Sequence, residues 1–218
     1  RAIFPADARC TGAIVAREPG TIAGTDAAAL AFRLLDPMVG VKIHRPDGRT
    51  VEAGDVVLRI DGPARSVLGA ERVALNLLCH LSGIATATAE LVQAARPHRA
   101  RITCTRKTTP NLRALEKQAV RAGGGVNHRI GLHDAVLIKE NHIAAAGGVT
   151  PVLKAAARVA AQASFIEIEV ETLDQLREAL DAGAKMVLLD NMSLPTLHEA
   201  VRINAGRAIL EISGGVTL

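Results

Sequence analysis

The order of apolar and polar positions divides the chain into a β-rich first part and a second part in which strands and helices alternate. Three runs in the first part alternate or stay apolar between Gly, Pro and Asp turns, and they predict strands at Cys10–Arg17, Val39–His44 and Val56–Ile60. An Ala-rich stretch predicts a helix at Asp26–Leu35. A longer helical pattern follows over about 69–96, and Gly83 is expected to interrupt it.

From position 101 onward, apolar runs alternate with helical stretches, which is typical of a parallel sheet covered by helices. The apolar runs are Ile102–Cys104, Ala135–Ile138, Phe165–Val170, Met186–Leu189 and Ala208–Ile212. The helical stretches lie at about 110–122, 150–162, 172–182 and 193–204. Polar groups supplied at the ends of successive strands favour a barrel over an open sheet. Five strand–helix units are too few to close a barrel, so we expect an incomplete one whose further strands would follow Leu218, and missing segments at both ends.

Composition excludes several classes of function. Hydrophobic residues make up 49% of the 218 positions, which fits a buried parallel sheet under Ala-rich helices and argues against disorder. Aromatic residues make up 1%, without Trp or Tyr, so the chain cannot build the stacking platforms that bind single-stranded nucleic acid. The net charge of +4 is mild, and the basic residues cluster in loops, which fits a small anionic metabolite.

Cysteine usage and hydropathy bear on the compartment. Cys10, Cys79 and Cys104 are odd in number and widely spaced, as expected for reduced thiols in a cytoplasmic protein. No apolar run reaches membrane-spanning length, and no signal peptide begins the chain. We therefore expect a cytoplasmic protein without a membrane partner.

Cations placed where strands end are the strongest chemical pattern in the chain. They lie at Arg106-Lys107, His128-Arg129 and Lys139. Guanidinium groups bind carboxylates and phosphates with two parallel hydrogen bonds, and lysines act as point charges. Because cations gathered together repel one another, an anionic ligand is the natural compensation. Three further cations on the intervening helix are expected to be solvated: Arg113, Lys117 and Arg121.

Carboxylates and a glycine turn end the later strands. Glu169 and Asp190 end consecutive strands, where they could accept hydrogen bonds from sugar hydroxyls or hold Mg²⁺ through water. The Ser213-Gly214-Gly215 turn resembles a backbone cradle for a phosphate. The Gly123-Gly124-Gly125 run reads as a flexible loop that delivers His128 and Arg129, and it does not match a dinucleotide fingerprint.

Other chemistries fit the residues less well. Lys107 or Lys139 could form a Schiff base, but that reaction favours a lone lysine in an apolar setting. His128 and His133 lack a thiolate pair beside them, which argues against a zinc site. Cys104 is expected to face the packing side of its strand. A non-enzymatic nucleic-acid-binding module stays open as an alternative of a different class.

Several segments together resemble the quinolinate phosphoribosyltransferase family. They are GTIAG at 20–24, ERVALNLLCHLSGIAT at 71–86, TRKTTPNLRALEKQAVRAGGGVNHRIGLHDAVLIKENHI at 105–143, EIEVET at 167–172, LLDNMS at 188–193 and LEISGG at 210–215. The combination of TRKT, GGGVNHR and IKENH is highly specific. A paralogous family associated with molybdenum transport shares the fold and much of the GGG…HR region, but IKENH favours the quinolinate enzyme.

The resemblance implies a fold, a reaction and an assembly. The expected fold is an N-terminal α/β sandwich over 1–70, connecting helices over 71–100 and an incomplete, TIM-like α/β barrel of the type II phosphoribosyltransferases over 101–218. The expected reaction transfers phosphoribosyl from phosphoribosyl pyrophosphate to quinolinate with loss of CO₂, in de novo NAD synthesis. A homodimer with a shared active site and a requirement for Mg²⁺ are also implied.

The resemblance also assigns roles to residues. Quinolinate would be bound by Thr105, Arg106, His128, Arg129 and Lys139, with Arg72 entering from the partner chain. Phosphoribosyl pyrophosphate would be bound by Lys107, Glu169, Asp190, Ser213, Gly214 and Gly215. Catalysis would rest on Lys107, Lys139, Glu169 and Asp190, the last two also holding the metal with or through substrate. The chain departs from the family at Cys104, where an aspartate is usual.

Overall fold

A computed structural model describes residues 3–217, which form two compact units divided between His128 and Arg129. The first unit is built on an antiparallel sheet and the second on a parallel one. This confirms the predicted α/β class, with a β-rich N-terminal part followed by a parallel-sheet C-terminal part. The expected domain boundaries within this order remain a prediction.

The sheet of the first unit has three strands in the order β1-β5-β3, and a two-stranded ribbon, β2-β4, accompanies it. The strands are β1 (Arg9–Val15), β2 (Gly20–Thr21), β3 (Gly40–Ile43), β4 (Thr50–Val51) and β5 (Val56–Pro63). The three longer strands overlap the three predicted runs. Helix α1 (Thr25–Leu35) lies where a helix was predicted, and its Phe32 is buried in one core cluster with Leu58 of β5.

Helix α2 (Ala64–Ala94) runs unbroken through Gly83, so the predicted interruption is wrong. Glycine in a helix interior costs about 1 kcal/mol relative to alanine. That cost is small beside the burial of Ala74, Leu78 and Leu81 along one face of this 31-residue helix. Packing of the apolar face therefore outweighs the local preference of one residue.

By length and composition, α2 could also cross a membrane, which the sequence interpretation did not anticipate. The core helix of a globular protein passes the same test. Here Ala70, Ala74 and Leu78 of α2 are buried in the core of the first unit. Of the most apolar 18-residue window of α2, 22% is buried within the described residues.

Helix α3 (Arg113–Ala122) starts three residues later than predicted, because Asn111 has a left-handed backbone with φ of 65°. The predicted strand Ile102–Cys104 is reduced to a single parallel bridge between Thr103 and Val126. The Val126 N–H donates to Ile102 O at 2.9 Å, and the Cys104 N–H donates to Val126 O at a longer 3.3 Å. Strand pairing therefore stops just before residues 105–109, which are called the basic segment below.

The second unit has four parallel strands whose order in the sheet follows their order in the chain. They are β6 (Val136–Ile138), β7 (Ile166–Val170), β8 (Met186–Asp190) and β9 (Ile209–Ser213). The helices are α4 (Glu140–Ala146), α5 (Val149–Ala156) with a 3-10 turn at Ala157–Gln162, α6 (Leu173–Asp181) and α7 (Leu194–Asn204). All four strands and three of the helices match predicted segments; α4 was not predicted.

Local sequence fixes where these helices begin. Thr172 accepts a hydrogen bond from Gln175 N at the start of α6, and the Gln175 side chain accepts in return from the Thr172 N–H. Ser193 caps α7 by accepting a hydrogen bond from the Thr196 N–H, and Pro195 lies in the first turn of the helix. Because strands β7 and β8 pass quickly into capped helices, their last residues stay at one edge of the sheet.

Candidate active site

The carboxyl ends of β6 to β9 bring together four of the predicted site segments. Lys139 follows β6, Glu169 is the penultimate residue of β7, Asp190 ends β8 and Ser213 ends β9. Asp190 and Ser213 are direct register partners. Parallel strands end at a common edge, which is where α/β proteins bind ligands. The structure thus places these four residues at one edge of the sheet in the second unit, and their roles in binding remain a prediction.

Lys139 and Glu169 form an ion pair at this edge. The Lys139 Nζ lies 3.1 Å from the Glu169 Oε2, and the Glu169 side chain is only 11% exposed. Lys139 is also held through its backbone, because its N–H donates to Nδ1 of His142 at 2.9 Å. The short helix α4 thus orients Lys139. The IKENH segment at 138–142 supplies both Lys139 and its partner His142.

Asn191 connects Asp190 to the end of β9. Its side-chain Nδ2 donates to the Asp190 Oδ2 at 2.7 Å, and its backbone N–H donates to Ser213 O at 2.9 Å. Asn191 has a left-handed backbone with φ of 52°, a conformation that Asn adopts more readily than most residues. Asn191 lies within the LLDNMS segment at 188–193, but the sequence alone does not predict its role.

The Ser213-Gly214-Gly215 turn has the backbone of an anion cradle. Gly214 and Gly215 both have positive φ, 87° and 66°, which side chains other than glycine adopt at a cost. A Cβ added to Gly214 would overlap the Asn191 Oδ1. This close approach leaves room for a glycine alone at position 214.

Arg129 begins the second unit and is half-buried. The loop after it is fixed by Asp134, whose two carboxylate oxygens accept from the N–H groups of Ile130 and Gly131 at 2.8 Å each. These two backbone donors hold the pKa of the Asp134 carboxyl below its usual value. The loop that carries Arg129 is therefore tied by a carboxylate that stays ionised.

The basic segment of the first unit is a turn that exposes Thr105 and Lys107 and half-buries Arg106. The Thr105 hydroxyl accepts from the Lys107 N–H at 3.0 Å, and the Thr108 N–H donates to Arg106 O at 3.0 Å. Among residues 3–217, the Arg106 Nε is buried without a hydrogen-bond partner. A buried guanidinium donor in this state is suited to an anionic ligand.

Glu116 and His80 hold the C-terminal end of the basic segment, at Thr109, in place. The Glu116 Oε2 accepts from the Thr109 N–H at 3.1 Å, and its Oε1 lies 2.9 Å from His80 Nε2. Burial opposes ionisation of Glu116, but hydrogen bonds from His80 and Thr109 outweigh it and hold the pKa of the carboxyl below its usual value. Neither residue was predicted from the sequence, because a separation of 36 residues between His80 and Glu116 does not indicate a contact.

Of the three helix cations expected to be solvated, Arg121 is exposed, Arg113 is half-buried and Lys117 is buried, so the expectation is wrong for Lys117. The Lys117 Nζ donates to the Cys104 Sγ at 2.9 Å and to His128 O at 3.0 Å. It thereby holds the start of the basic segment beside His128. The Lys117 side chain points inward because its position on α3 faces the two chain segments that the Thr103–Val126 bridge joins.

The glycine run 123–125 is closely packed where the sequence suggested only flexibility. A Cβ on Gly123 would overlap the Ala85 carbonyl of α2, and one on Gly125 would lie 2.8 Å from Val120 Cγ1. Glycine is required here because α2 and α3 leave no room for a side chain. Arg72, also on α2, is exposed beside an open cavity of about 780 Å³ in the first unit.

Two family models together match all of the chain except residue 83. The model described as the N-terminal domain of quinolinate phosphoribosyl transferase matches residues 1–82, and that of the C-terminal domain matches residues 84–218. The chain belongs to the quinolinate phosphoribosyltransferase family. The resemblance inferred from TRKT, GGGVNHR and IKENH is thereby confirmed.

Named relatives of this family agree. The probable nicotinate-nucleotide pyrophosphorylase (carboxylating) of Bacillus subtilis is 45% identical, over 96% of this chain and 72% of the relative. The corresponding protein of Mycobacterium leprae is 46% identical over 100% of this chain and 78% of its own length. The crystal structure of NadC from Streptococcus pyogenes has a TM-score of 0.94 at 44% identity, covering 99% of this chain and 76% of that one.

Proposed function

We propose that this protein transfers phosphoribosyl from phosphoribosyl pyrophosphate to quinolinate, releasing pyrophosphate and CO₂ and giving nicotinate mononucleotide for NAD synthesis. Family membership over both domains supports the proposal. The observation that carries it is the strand-end edge of the second unit, where a lysine, two carboxylates and a glycine cradle occupy successive strands. That arrangement can bind a sugar bearing phosphates.

Quinolinate carries two carboxylates, and the proposed residues for them are cationic or hydrogen-bond donors. Arg106, with its buried donor atom, supports this role most directly. Thr105, His128, Arg129 and Lys139 complete the proposed set. Each charge-assisted hydrogen bond contributes about 1.5–3 kcal/mol to binding. We further propose that Lys107, exposed on its turn, lies between the two substrates.

The phosphoribosyl donor is assigned to the edge of the second unit. Glu169 and Asp190 are proposed to accept from the ribose hydroxyls, while Ser213, Gly214 and Gly215 receive a phosphate. The two carboxylates also fit Mg²⁺, because this ion prefers a few carboxylates together with substrate phosphates. Glu169 already faces the Lys139 ammonium, so we assign the metal chiefly to Asp190. When bound, Mg²⁺ would neutralise charge on the leaving pyrophosphate.

In this mechanism the quinolinate nitrogen displaces pyrophosphate at the anomeric carbon. The carbon passes through an oxocarbenium-like state, whose positive charge the Glu169 and Asp190 carboxylates stabilise. The new bond makes the ring nitrogen cationic, so the adjacent carboxylate can leave as CO₂; the electron pair of the broken C–C bond stays on the ring carbon beside that nitrogen, where a proton from water replaces the carboxylate. Much of the acceleration comes from holding two polyanions together, an effect that reaches about 7–11 kcal/mol in favourable cases.

We also propose that two copies of the chain assemble into a homodimer in which Arg72 completes the partner's site. Its exposed position on α2 is compatible with a role outside its own chain. A cytoplasmic location is proposed on the same family basis.

The proposal is tested by measuring CO₂ release from carboxyl-labelled quinolinate by the purified protein. We expect release that depends on both phosphoribosyl pyrophosphate and Mg²⁺. Nicotinate, which lacks the second carboxylate, serves as the control acceptor and should give no product. Absence of CO₂ release, or use of nicotinate as readily as quinolinate, would contradict the proposal.

A further inference from the structure

Asn191 touches both parts of the edge assigned to the phosphoribosyl donor, and the mechanism above gives it no role. Its Nδ2 donates to the Asp190 Oδ2 at 2.7 Å, and its backbone N–H donates to Ser213 O at 2.9 Å. On its other side, a Cβ added to Gly214 would overlap the Asn191 Oδ1 and lie 2.7 Å from its Cγ. The side chain is thus confined between the end of β8 and the turn that follows β9.

The chemistry of these two neighbours fixes which way the Asn191 amide faces. An ionised carboxylate only accepts hydrogen bonds, so the NH₂ of the amide must be the group that binds the Asp190 Oδ2. The amide oxygen then faces Gly214, where the absence of a side chain leaves it room. The reverse orientation would set the amide oxygen against the carboxylate, which repels it. A single orientation of the amide therefore suits both neighbours.

The chain contains a second asparagine with the same backbone conformation. Asn191 has φ of 52° and Asn111 has φ of 65°, and both residues are exposed. Within residues 3–217, the Asn111 side chain makes no hydrogen bond, whereas that of Asn191 binds Asp190. The two positions share a left-handed backbone and differ in what the amide contacts. They separate the effect of the backbone from the effect of the side chain.

We propose that Asn191 is a positioning residue for the phosphoribosyl donor, which holds Asp190 at a fixed place relative to the Ser213-Gly214-Gly215 turn. The inference rests on the proposed function, in which the carboxylate receives the ribose hydroxyls and the turn receives a phosphate. A donor that binds both groups needs them at the spacing of its own sugar and phosphate. Groups held in place beforehand lose less freedom when the donor binds, and this raises the affinity.

The test replaces Asn191 with glycine, which removes the amide and still adopts a left-handed backbone readily. Asn111→Gly is the matched control, because it makes the same replacement at a similar φ. Both variants and the unaltered protein are compared by thermal unfolding and by calorimetric titration with quinolinate and, separately, with phosphoribosyl pyrophosphate and Mg²⁺. We expect donor affinity to fall by about tenfold in Asn191→Gly, as for the loss of a hydrogen bond to a charged group. Quinolinate affinity and the unfolding temperature should equal those of Asn111→Gly.

An asparagine that only shapes the turn predicts a different pattern. Asn191→Gly would then bind the donor as tightly as Asn111→Gly, or would lose stability and affinity for both substrates together. Either result would overturn the positioning role while the unaltered protein still binds the donor. If the unaltered protein itself does not bind the donor, the proposed function is contradicted and this inference fails with it. The two kinds of failure are therefore distinguishable.

A second measurement shows whether Asn191 acts through Asp190. Equilibrium dialysis with labelled phosphoribosyl pyrophosphate, which detects weak binding, compares Asp190→Ala with the double variant Asp190→Ala/Asn191→Gly. Because no carboxylate is left to orient, the two proteins should bind the donor equally weakly, and the losses of the single variants should not multiply. A further loss of affinity in the double variant would show that Asn191 acts independently of Asp190, and would overturn the inference.

Discussion

The ammonium of Lys139 lies 3.1 Å from Oε2 of Glu169, so the residue that follows one strand is paired with a residue near the end of the next. The glutamate is mostly buried, with 11% of its side chain exposed, while the lysine is 46% exposed. A shielded pair of this kind is stronger than one in water. It also connects a residue assigned to quinolinate with one assigned to the phosphoribosyl donor.

Replacing Glu169 should therefore reduce catalysis sharply. Glu169→Gln keeps the shape but removes the charge proposed to stabilise the oxocarbenium-like state, and we expect kcat to fall by about 100-fold. Asp174→Asn is the matched control, because it removes an exposed ion pair with Arg177 whose contribution is about 0.5 kcal/mol or less. Steady-state kinetics of both variants decide. Similar losses in the two would show that Glu169 acts only through stability.

Arg106→Ala and Arg129→Ala should each weaken quinolinate binding by about 1.5–3 kcal/mol, since each removes a charge-assisted hydrogen bond. Arg121→Ala, on the exposed end of α3, should change little. Arg113 is an unsuitable control, because its Nε donates to the Thr108 hydroxyl at 3.1 Å beside the basic segment. Titration calorimetry with quinolinate measures all three. An equal loss in Arg121→Ala would mean that the pocket has been misplaced.

Asp190→Asn should impair binding of phosphoribosyl pyrophosphate far more than binding of quinolinate. Its proposed partners are sugar hydroxyls and the metal, which a neutral amide serves poorly. The hydrogen bond from Asn191 Nδ2, now 2.7 Å long, would also have to rearrange. Calorimetric titration of each substrate separately tests this assignment. Loss of quinolinate affinity with retention of the donor would reverse the two roles.

Gly214→Ala should abolish most binding of the phosphoribosyl donor. Its φ is +87° and the new Cβ would overlap Asn191 Oδ1, so the cradle must distort. Gly183→Ala is a close control, with the same φ of +87° but open space around the added Cβ. Both variants should lose about 1 kcal/mol of stability from the left-handed backbone. Thermal unfolding together with donor titration separates the effects, and equal donor affinity in both variants would contradict the cradle.

Arg72→Ala and Lys139→Ala should complement each other if Arg72 serves the partner's site. In a heterodimer of the two, one site carries both defects and the other carries neither. Random exchange gives about half heterodimers, so the mixture should regain roughly a quarter of normal activity. Each variant must be nearly inactive alone, and mass spectrometry must show that subunits have exchanged. Activity that stays at the level of the single variants after exchange would place Arg72 within its own chain's site.

The periodicity of the sequence was sufficient to place the three longer strands of the first unit, the four strands of the parallel sheet and most helices of this protein. Runs of four to six mostly apolar residues predicted the four strands of the parallel sheet, because the strands of such sheets are typically covered on both faces. In the structure, the Thr172 and Ser193 side chains cap the starts of α6 and α7, which are local interactions within the chain. Since parallel strands share an edge, the meeting of Lys139, Glu169 and Asp190 also followed from the sequence.

Tertiary structure alone decided which side chains of a helix are buried and what they contact. Lys117 has the same local surroundings as its solvated neighbour Arg121, and only the bridged segments around Cys104 and His128 place it inside. Glycine at position 83 disfavours a helix locally, but long-range packing of α2 outweighs that preference. A sequence pattern reports the average environment of a residue type, whereas the partner of one atom depends on residues far away in the chain.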